Sequence, residues 1–291
     1  MLRGKALSCA VNPACGNERK LEIKQADKAK YVLVVGGGIA GMEVARVATL
    51  QGHDVTLYEK NDRLGGHLNA GSVPKFKYDV ALLMEYYINQ LKKLDVKVEL
   101  GKKITKSMVK EMNPEVVIIA TGSNTIVPKI PGIEKDIVIT AIDLFLGKKK
   151  AGERVIVAGG GLIGCETALY LAQQGKRVTI VEMMEDIIPD VFEANKEHLL
   201  KLIAENCVSV LKDTSLCRVT DEGAILVNKR RRYEAMLKAD TVVLAVGLKP
   251  DNELYKALKG EVPELHAVGD CKKSLKIMDA VKSAFNTSRL I

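Results

Sequence analysis

Gly36, Gly38 and Gly41 stand in the order G-x-G-x-x-G, and Glu59 follows at the end of the next apolar run. Each residue type suits one step in holding a nucleotide. Gly36 permits a tight turn, Gly38 lets the backbone approach a pyrophosphate, and Gly41 lets a helix pack closely on a strand. A helix N-terminus offers unpaired N–H groups to the anion, and an acid after the second strand accepts from a ribose hydroxyl. The glycines alone would be a weak signal. Here Val32-Leu33-Val34-Val35 leads in, a helix-compatible run spans Met42 to Gln51, and Val55-Thr56-Leu57-Tyr58 runs into Glu59. An ordinary glycine-rich turn has no such flanks.

The pattern returns. Adding 123 to each number carries Gly36, Gly38 and Gly41 onto Gly159, Gly161 and Gly164, Glu43 onto Glu166, Gly52 onto Gly175, and Glu59 onto Glu182. Val155-Ile156-Val157 repeats the leading strand, and Val178-Thr179 repeats Val55-Thr56. A whole strand–helix–strand unit at constant offset is an internal duplication, which implies two dinucleotide sites. At both, the acid disfavours a 2′-phosphate. Met183 and Met184 follow Glu182, with no arginine beside them in the chain, so NADH is expected over NADPH at the second site. The rival reading of Glu182 is that it merely solvates a strand end. The first site alone has a later Gly269-Asp270 turn, with a helix from about Ile277 to Arg289. An acid there can hold a hydroxylated linker, and the helix N-terminus can stabilise negative charge on a reduced flavin ring, which points to FAD.

These sites need a scaffold of alternating strands and helices. Tyr78 to Leu94 reads as a helix, Val96 to Leu100 as a strand, and Thr105 to Met112 as a helix capped by Thr105. Val116 to Ala120 is a buried parallel-type strand ending at Thr121-Gly122, and Pro128, Pro131 and Gly132 mark a linker. The second copy adds a helix (191–204), a strand (208–211), a hairpin centred on Asp221-Glu222-Gly223, and a strand from Thr241 ending at Val246-Gly247. The fold expected is α/β, with two Rossmann-like dinucleotide-binding domains, the second inserted within the first. Residues 1–28 form an extended lead-in, 29–128 with 260–291 the FAD-binding domain, and 129–259 the NAD(H)-binding domain.

Composition narrows the classes. The 291 residues, 47% of them hydrophobic, suffice for two domains with real cores. The formal charge of +8 is spread along the chain, and its one dense cluster, Lys229-Arg230-Arg231-Arg232, reads as a solvated loop, so no nucleic-acid partner is expected. No apolar run approaches the ~18 residues that a membrane span needs. Six irregularly spaced cysteines without a C-x-x-C fit a reduced, cytoplasmic protein. Cys9 and Cys15 are two thiols, too few to close a four-coordinate metal site.

The two glycine units, Ala120-Thr121-Gly122 and Gly269-Asp270 resemble the two-dinucleotide-domain flavoproteins. Cys9-Ala10-Val11-Asn12-Pro13 with Gly16 and Glu18, then Gly52 to Lys60 and Leu64-Gly65-Gly66, resemble a narrower group. That group is the carboxy-terminal part of the NADH:flavin oxidoreductases typified by dienoyl-CoA reductase, 2-enoate reductase and trimethylamine dehydrogenase. The resemblance covers essentially the whole chain. It implies FAD at Gly36, Gly38, Gly41, Glu59, Lys60, Gly66, His67, Thr121, Gly122, Gly269 and Asp270. It implies NAD at Gly159, Gly161, Ile163, Gly164, Glu166, Glu182 and Gly247, with Glu166 near the nicotinamide. It also implies an upstream FMN-bearing barrel and a 4Fe-4S cluster. Cys9 matches that cluster's last ligand, and the other three ligands have no counterpart here. His67 stands where a glutamine is common, and Cys271 where a small residue is common.

Hydride transfer between two bound cofactors needs no protein nucleophile, which agrees with the absence of any Ser/His/Asp or Cys/His constellation. Cys165 is a lone thiol after Gly164, which disfavours a dithiol relay. The expected function is an FAD-dependent NADH-oxidising module that passes electrons to an iron–sulfur/FMN domain or subunit. A homo-oligomer stays open. The rival reading is a non-redox, ADP-holding structural module; a glutamate-synthase-like small subunit fits less well, since its second motif usually carries a basic residue.

Overall fold

Strands buried on both faces explain the unbroken apolar runs. The computed structural model describes residues 7–189, 191–228 and 230–291, so residues 1–6, Asp190 and Lys229 of the basic cluster lie outside the described residues. The chain divides into two compact units, one of residues 1–124 with 249–291, the other of residues 125–248.

The first unit begins with β1 (Tyr31–Val35), α1 (Ile39–Leu50), β2 (Asp54–Tyr58), α2 (Leu68–Gly71), α3 (Tyr78–Lys93), β3 (Lys97–Glu99), α4 (Lys106–Met112) and β4 (Val116–Ile119). After β5 (Ser123–Thr125) the second unit holds β6 (Val138–Thr140), α5 (Ala141–Phe145), β7 (Arg154–Ala158), α6 (Leu162–Ala172) and β8 (Arg177–Val181). It continues with α7 (Glu193–Glu205), β9 (Ser209–Leu211), β10 (Thr214–Thr220), β11 (Gly223–Asn228), β12 (Tyr233–Lys238) and β13 (Thr241–Leu244). β14 (Leu248–Pro250) leads back to α8 (Glu253–Leu258), β15 (Glu264–Ala267) and α9 (Ile277–Ser288) in the first unit.

The first unit's sheet is parallel, in the order β15-β4-β1-β2-β3. The two-residue period of a strand sorts its side chains between two cores. Val32, Val34, Val116 and Ile118 pack with Met42, Tyr87 and Val281 from α1, α3 and α9. Leu33, Val35, Val117 and Ile119 pack with Ile104, Val109 and Leu258 on the other face. Fully burying each such side chain contributes roughly 1.5–3 kcal/mol. Strand order reverses between β1 and β4, and the space beyond the carboxyl ends at such a reversal is the usual place for a ligand in these sheets.

The second unit repeats this plan in the order β6-β13-β7-β8-β9. Val155 and Val157 face α6 and α7 through Leu169 and Ile203. The opposite face is covered by an antiparallel sheet, β10-β11-β12, whose Val219, Ala224 and Leu226 pack on Ile156, Ala158 and Leu244.

Several elements were not foreseen. β12 is exposed along nearly its whole length, so its sequence lacks the alternation that marks a half-buried strand. Arg230, Arg231 and Arg232 lie in the turn into it, where the Arg231 N–H donates to Asn228 Oδ1 at 2.7 Å. β6, α5 and α8 are short pieces within segments that read as linkers. The helix expected after Thr105 does form, with the Thr105 hydroxyl accepting from Met108 N–H at 3.4 Å.

Residues 7–28 make turns rather than regular elements and are tied to the first unit. The Arg289 guanidinium donates to the Lys20 and Glu22 carbonyls, and Ala26 N–H donates to the Gln51 carbonyl. Where the chain leaves and re-enters the first unit, Asp251 N–H donates to Gly122 O at 2.9 Å; within the second, Ile126 N–H donates to Gly247 O at 3.0 Å. Among the described residues no helix is long and apolar enough to cross a membrane.

Candidate functional site

In the first unit, the turn from β1 into α1 is shaped by two contacts that only glycine tolerates. Gly36 has φ +113°, and a Cβ there would fall on the Ala120 carbonyl. A Cβ on Gly41 would fall on the Gly36 carbonyl oxygen. Gly38 differs in kind. It has extended backbone (φ −72°, ψ −179°), and a Cβ built on it meets nothing within 4 Å. No side chain caps α1, so its first N–H groups are available to an anion over that open space.

Glu59 is buried and braces this loop. Its Oε2 accepts from Gly37 N–H at 2.6 Å, and its Oε1 accepts from the backbone and side chain of Asn61 at 2.8 and 2.6 Å. Oε2, with one bond, keeps a further lone pair for a ribose hydroxyl. The next turn closes on the same loop. Gly65 N–H donates to Gly37 O at 2.8 Å, and Gly66 lies against Gly38.

The carboxyl ends of β4 and β15 bring in the remaining first-site residues. Thr121 Oγ1 donates to the Asp251 carbonyl, and Gly122 follows it with φ +77°. Ser123 Oγ donates to Asp270 Oδ2 at 3.1 Å, and Leu275 N–H donates to Oδ1 at 3.3 Å. Gly269 packs where a Cβ would press on Ala40 of α1. Crowding by protein atoms pulls the His67 imidazole below the usual histidine range although its surface is largely open. The Asp270 carboxylate opposes that shift and the Lys60 ammonium adds to it.

The second unit repeats the construction at the same offset. Gly159 has φ +108° and a Cβ would meet the Ala245 carbonyl; a Cβ on Gly164 would fall on the Gly159 carbonyl; Gly161 opens onto free space at the uncapped start of α6. Glu182 Oε2 accepts from Gly160 N–H at 2.6 Å and Oε1 from Met184 N–H at 2.8 Å. Ile188 N–H donates to Gly160 O at 2.9 Å, the bond that Gly65 makes in the first copy. Ile163 is exposed and Glu166 half-buried on the first turns of α6, and Gly247 lies beyond β13 with φ +114°. The fold also supplies what the local sequence lacked. Arg230, from the β11–β12 turn, stands beside the loop after Glu182, with Nη1 3.7 Å from Asp213 and 3.9 Å from Glu185.

Two thiols bear on the chemistry. Cys9 Sγ accepts from Val11 N–H at 3.4 Å, and hydrogen bonds from Asn12 and Val11 hold its pKa below the usual thiol range. A thiol with a lowered pKa suits a metal, but among the described residues no three His, Cys, Asp or Glu gather to hold one, so a four-cysteine cluster does not fit this chain alone. Cys165 is fully buried, and burial pushes its pKa up to about 12. The native protein at pH 8 should therefore leave Cys165 unmodified by iodoacetamide while the exposed Cys207 and Cys217 react. Peptide mass mapping checks this, and rapid labelling of Cys165 would reopen a thiol relay.

The sequence pattern of the family described as pyridine nucleotide-disulphide oxidoreductase matches residues 8–107 and 30–284. The chain belongs to this family. Pyridine nucleotide-disulphide oxidoreductases bind FAD and a nicotinamide nucleotide, and both cradles have the room and the donors for such ligands. Cinnamate reductase of Clostridium sporogenes is 43% identical over 288 residues, which cover 98% of this chain and 43% of that protein. NADH oxidase of Thermoanaerobacter brockii is 38% identical, covering 97% of this chain and 44% of the relative. A 2-naphthoyl-CoA reductase structure superposes with a TM-score of 0.93 at 36% identity, over 98% of this chain and 43% of that one. These relatives bear out the resemblance to the NADH:flavin oxidoreductases. The chain spans less than half of their length, so they carry further domains. Thioredoxin reductase of Lactococcus lactis shares the fold, with a TM-score of 0.72 at 20% identity over 90% of this chain and 97% of that one.

Proposed function

We propose that this chain is an FAD-dependent module that oxidises NADH and passes the electrons to an FMN/iron–sulfur domain or subunit. The observation that carries this reading is the pair of matched cradles of which only the first has the Asp270 turn, held by Ser123 and Leu275. FAD then occupies the first cradle, on Gly36, Gly38, Gly41, Glu59, Lys60, Gly66, His67, Thr121, Gly122, Gly269 and Asp270. The nicotinamide nucleotide takes the second, on Gly159, Gly161, Ile163, Gly164, Glu166, Glu182 and Gly247. When bound, the cofactors supply hydride transfer from the nicotinamide to the flavin. The protein's residues bind and orient. The uncapped helix N-termini face the pyrophosphates, and Glu59 and Glu182 hold the loops and accept from ribose. Glu182 favours NADH over NADPH by repelling a 2′-phosphate.

The distal acceptor is assigned to the additional length of the relatives, with Cys9 contributing one ligand to a 4Fe-4S cluster whose other ligands lie elsewhere. Six unpaired cysteines support a reducing, cytoplasmic setting. The visible spectrum of the purified protein, followed on anaerobic addition of NADH, tests the reading. Flavin bands that bleach are expected. A colourless protein that binds ADP would instead establish a structural nucleotide-holding module.

A further inference from the structure

The loop after Glu182 borders an open depression of about 480 Å³ lined by Met183, Glu185, Asp213 and Arg230. It is laced to the end of β9. Thr214 N–H donates to Glu182 O at 2.8 Å, and Asp213 N–H donates to Met184 O at 3.0 Å. The ribose acid and the depression are therefore parts of one rim. Met183 is 60% exposed, an apolar surface for a base. Arg230 is the cation of the lining, and it arrives from a distant hairpin turn.

An arginine in this place would ordinarily recruit a phosphate, because its planar fork pairs phosphate oxygens. Here two acids stand beside it and offset its charge, Asp213 at 3.7 Å and Glu185 at 3.9 Å. Counting Glu182, three carboxylates stand against one guanidinium. The adjacent Lys212 is engaged by Asp186 at 2.9 Å, as is Lys196 at 2.6 Å. A 2′-phosphate entering this rim would have to draw Arg230 away from both acids while meeting three negative charges. A free 2′-hydroxyl needs none of this.

We propose that Glu185 and Asp213 mask Arg230, and that this masked arginine is a selectivity device turning NADPH away from the second site. The proposal rests on the reading of that site as a nicotinamide-nucleotide site, and it adds a determinant outside the glycine motif. Removing the mask exposes a phosphate-binding arginine without touching Glu182. Asn at position 213 also tolerates the left-handed backbone there, φ +52°.

Calorimetric titration with NAD⁺ and NADP⁺ tests this on the whole protein. Glu185→Gln/Asp213→Asn should bind NADP⁺ about tenfold more tightly than wild type, as one guanidinium at surface dielectric is freed, with NAD⁺ affinity within about twofold. Adding Arg230→Ala to that pair should erase the gain. Arg230 is 72% exposed in its side chain, so its loss should leave the melting temperature unchanged. An unchanged NADP⁺ affinity in the double variant, or a gain that survives without Arg230, overturns the proposal while the NAD reading stands. Wild-type protein that binds neither nucleotide overturns both.

Discussion

Gly38→Glu should leave the melting temperature near that of the flavin-free parent and remove flavin from the purified protein. The substituted side chain has space and an unstrained backbone, so the fold has nothing to relieve. Its carboxylate, however, takes up the room before the α1 N-terminus that a pyrophosphate needs. Losing two charge-assisted hydrogen bonds, and adding a like charge, should weaken flavin binding by at least about a hundredfold. Gly41→Ala should behave in the opposite sense. One methyl group falls on the Gly36 carbonyl, and overpacking of this kind costs about 1–3 kcal/mol or more. That exceeds the ~1 kcal/mol of helix propensity gained, and it should appear as a melting temperature lower by several degrees. Circular-dichroism melts and the ratio of flavin to protein absorbance separate the two cases. A yellow Gly38→Glu protein, or a Gly41→Ala protein as stable as the parent, contradicts the assignment.

The second large effect lies beneath the same helix. Glu43 is fully buried, and Arg46 clasps it with Nε 2.8 Å from Oε2 and Nη2 3.0 Å from Oε1. Arg46→Met leaves a buried acid without its cation and should cost about 3–5 kcal/mol. The loss should depend on pH with a definite sign. Burial holds the Glu43 pKa above the usual carboxylate range, against the pull of Arg46 and Tyr87. A carboxyl raised in this way binds more protons folded than unfolded, so its contribution is full below the unfolded pKa and is lost as pH rises through the folded one. Without Arg46 the folded value climbs further, and urea melts should show a larger deficit at pH 8 than at pH 5. Equal deficits would show that packing alone was lost. Exchanging both residues for apolar ones should recover most of the stability. The second copy already has an apolar residue in that slot. Leu169, which matches Arg46 at the constant offset, is fully buried, and Glu166 is only half-buried.

How much was legible in the chain follows from which interactions are local. The two cradles were readable because a tight turn, a backbone approach and a helix–strand contact each demand glycine at a fixed spacing. Constant offset then ruled out accident. Strands such as β4 were readable because burial on both faces leaves only β-branched and aliphatic residues. β12 was not, since an exposed edge strand imposes no alternation. Arg230 stayed hidden for a different reason. Its neighbourhood is created by sheet packing between remote segments, and no spacing rule connects a hairpin turn to the end of β8. The loop-bracing role of Glu59 and Glu182 was also missed, although both acids were singled out for ribose. Their bonds to Gly37 and Gly160 depend on the closing geometry of the turn, not on residue type.

The hydrogen bonds at the two chain crossings have a consequence for how this protein can vary. On the first unit's side, residues 122 and 251 are neighbours; on the second unit's side, residues 126 and 247 are neighbours. The first unit's two ends at residues 122 and 251 thus already meet, and closing that unit without the second would require bridging only a short gap, at little loop-closure cost. Topologically the second unit is a cassette. Recombination at those two points could exchange one nucleotide half for another while every strand of the first sheet kept its register.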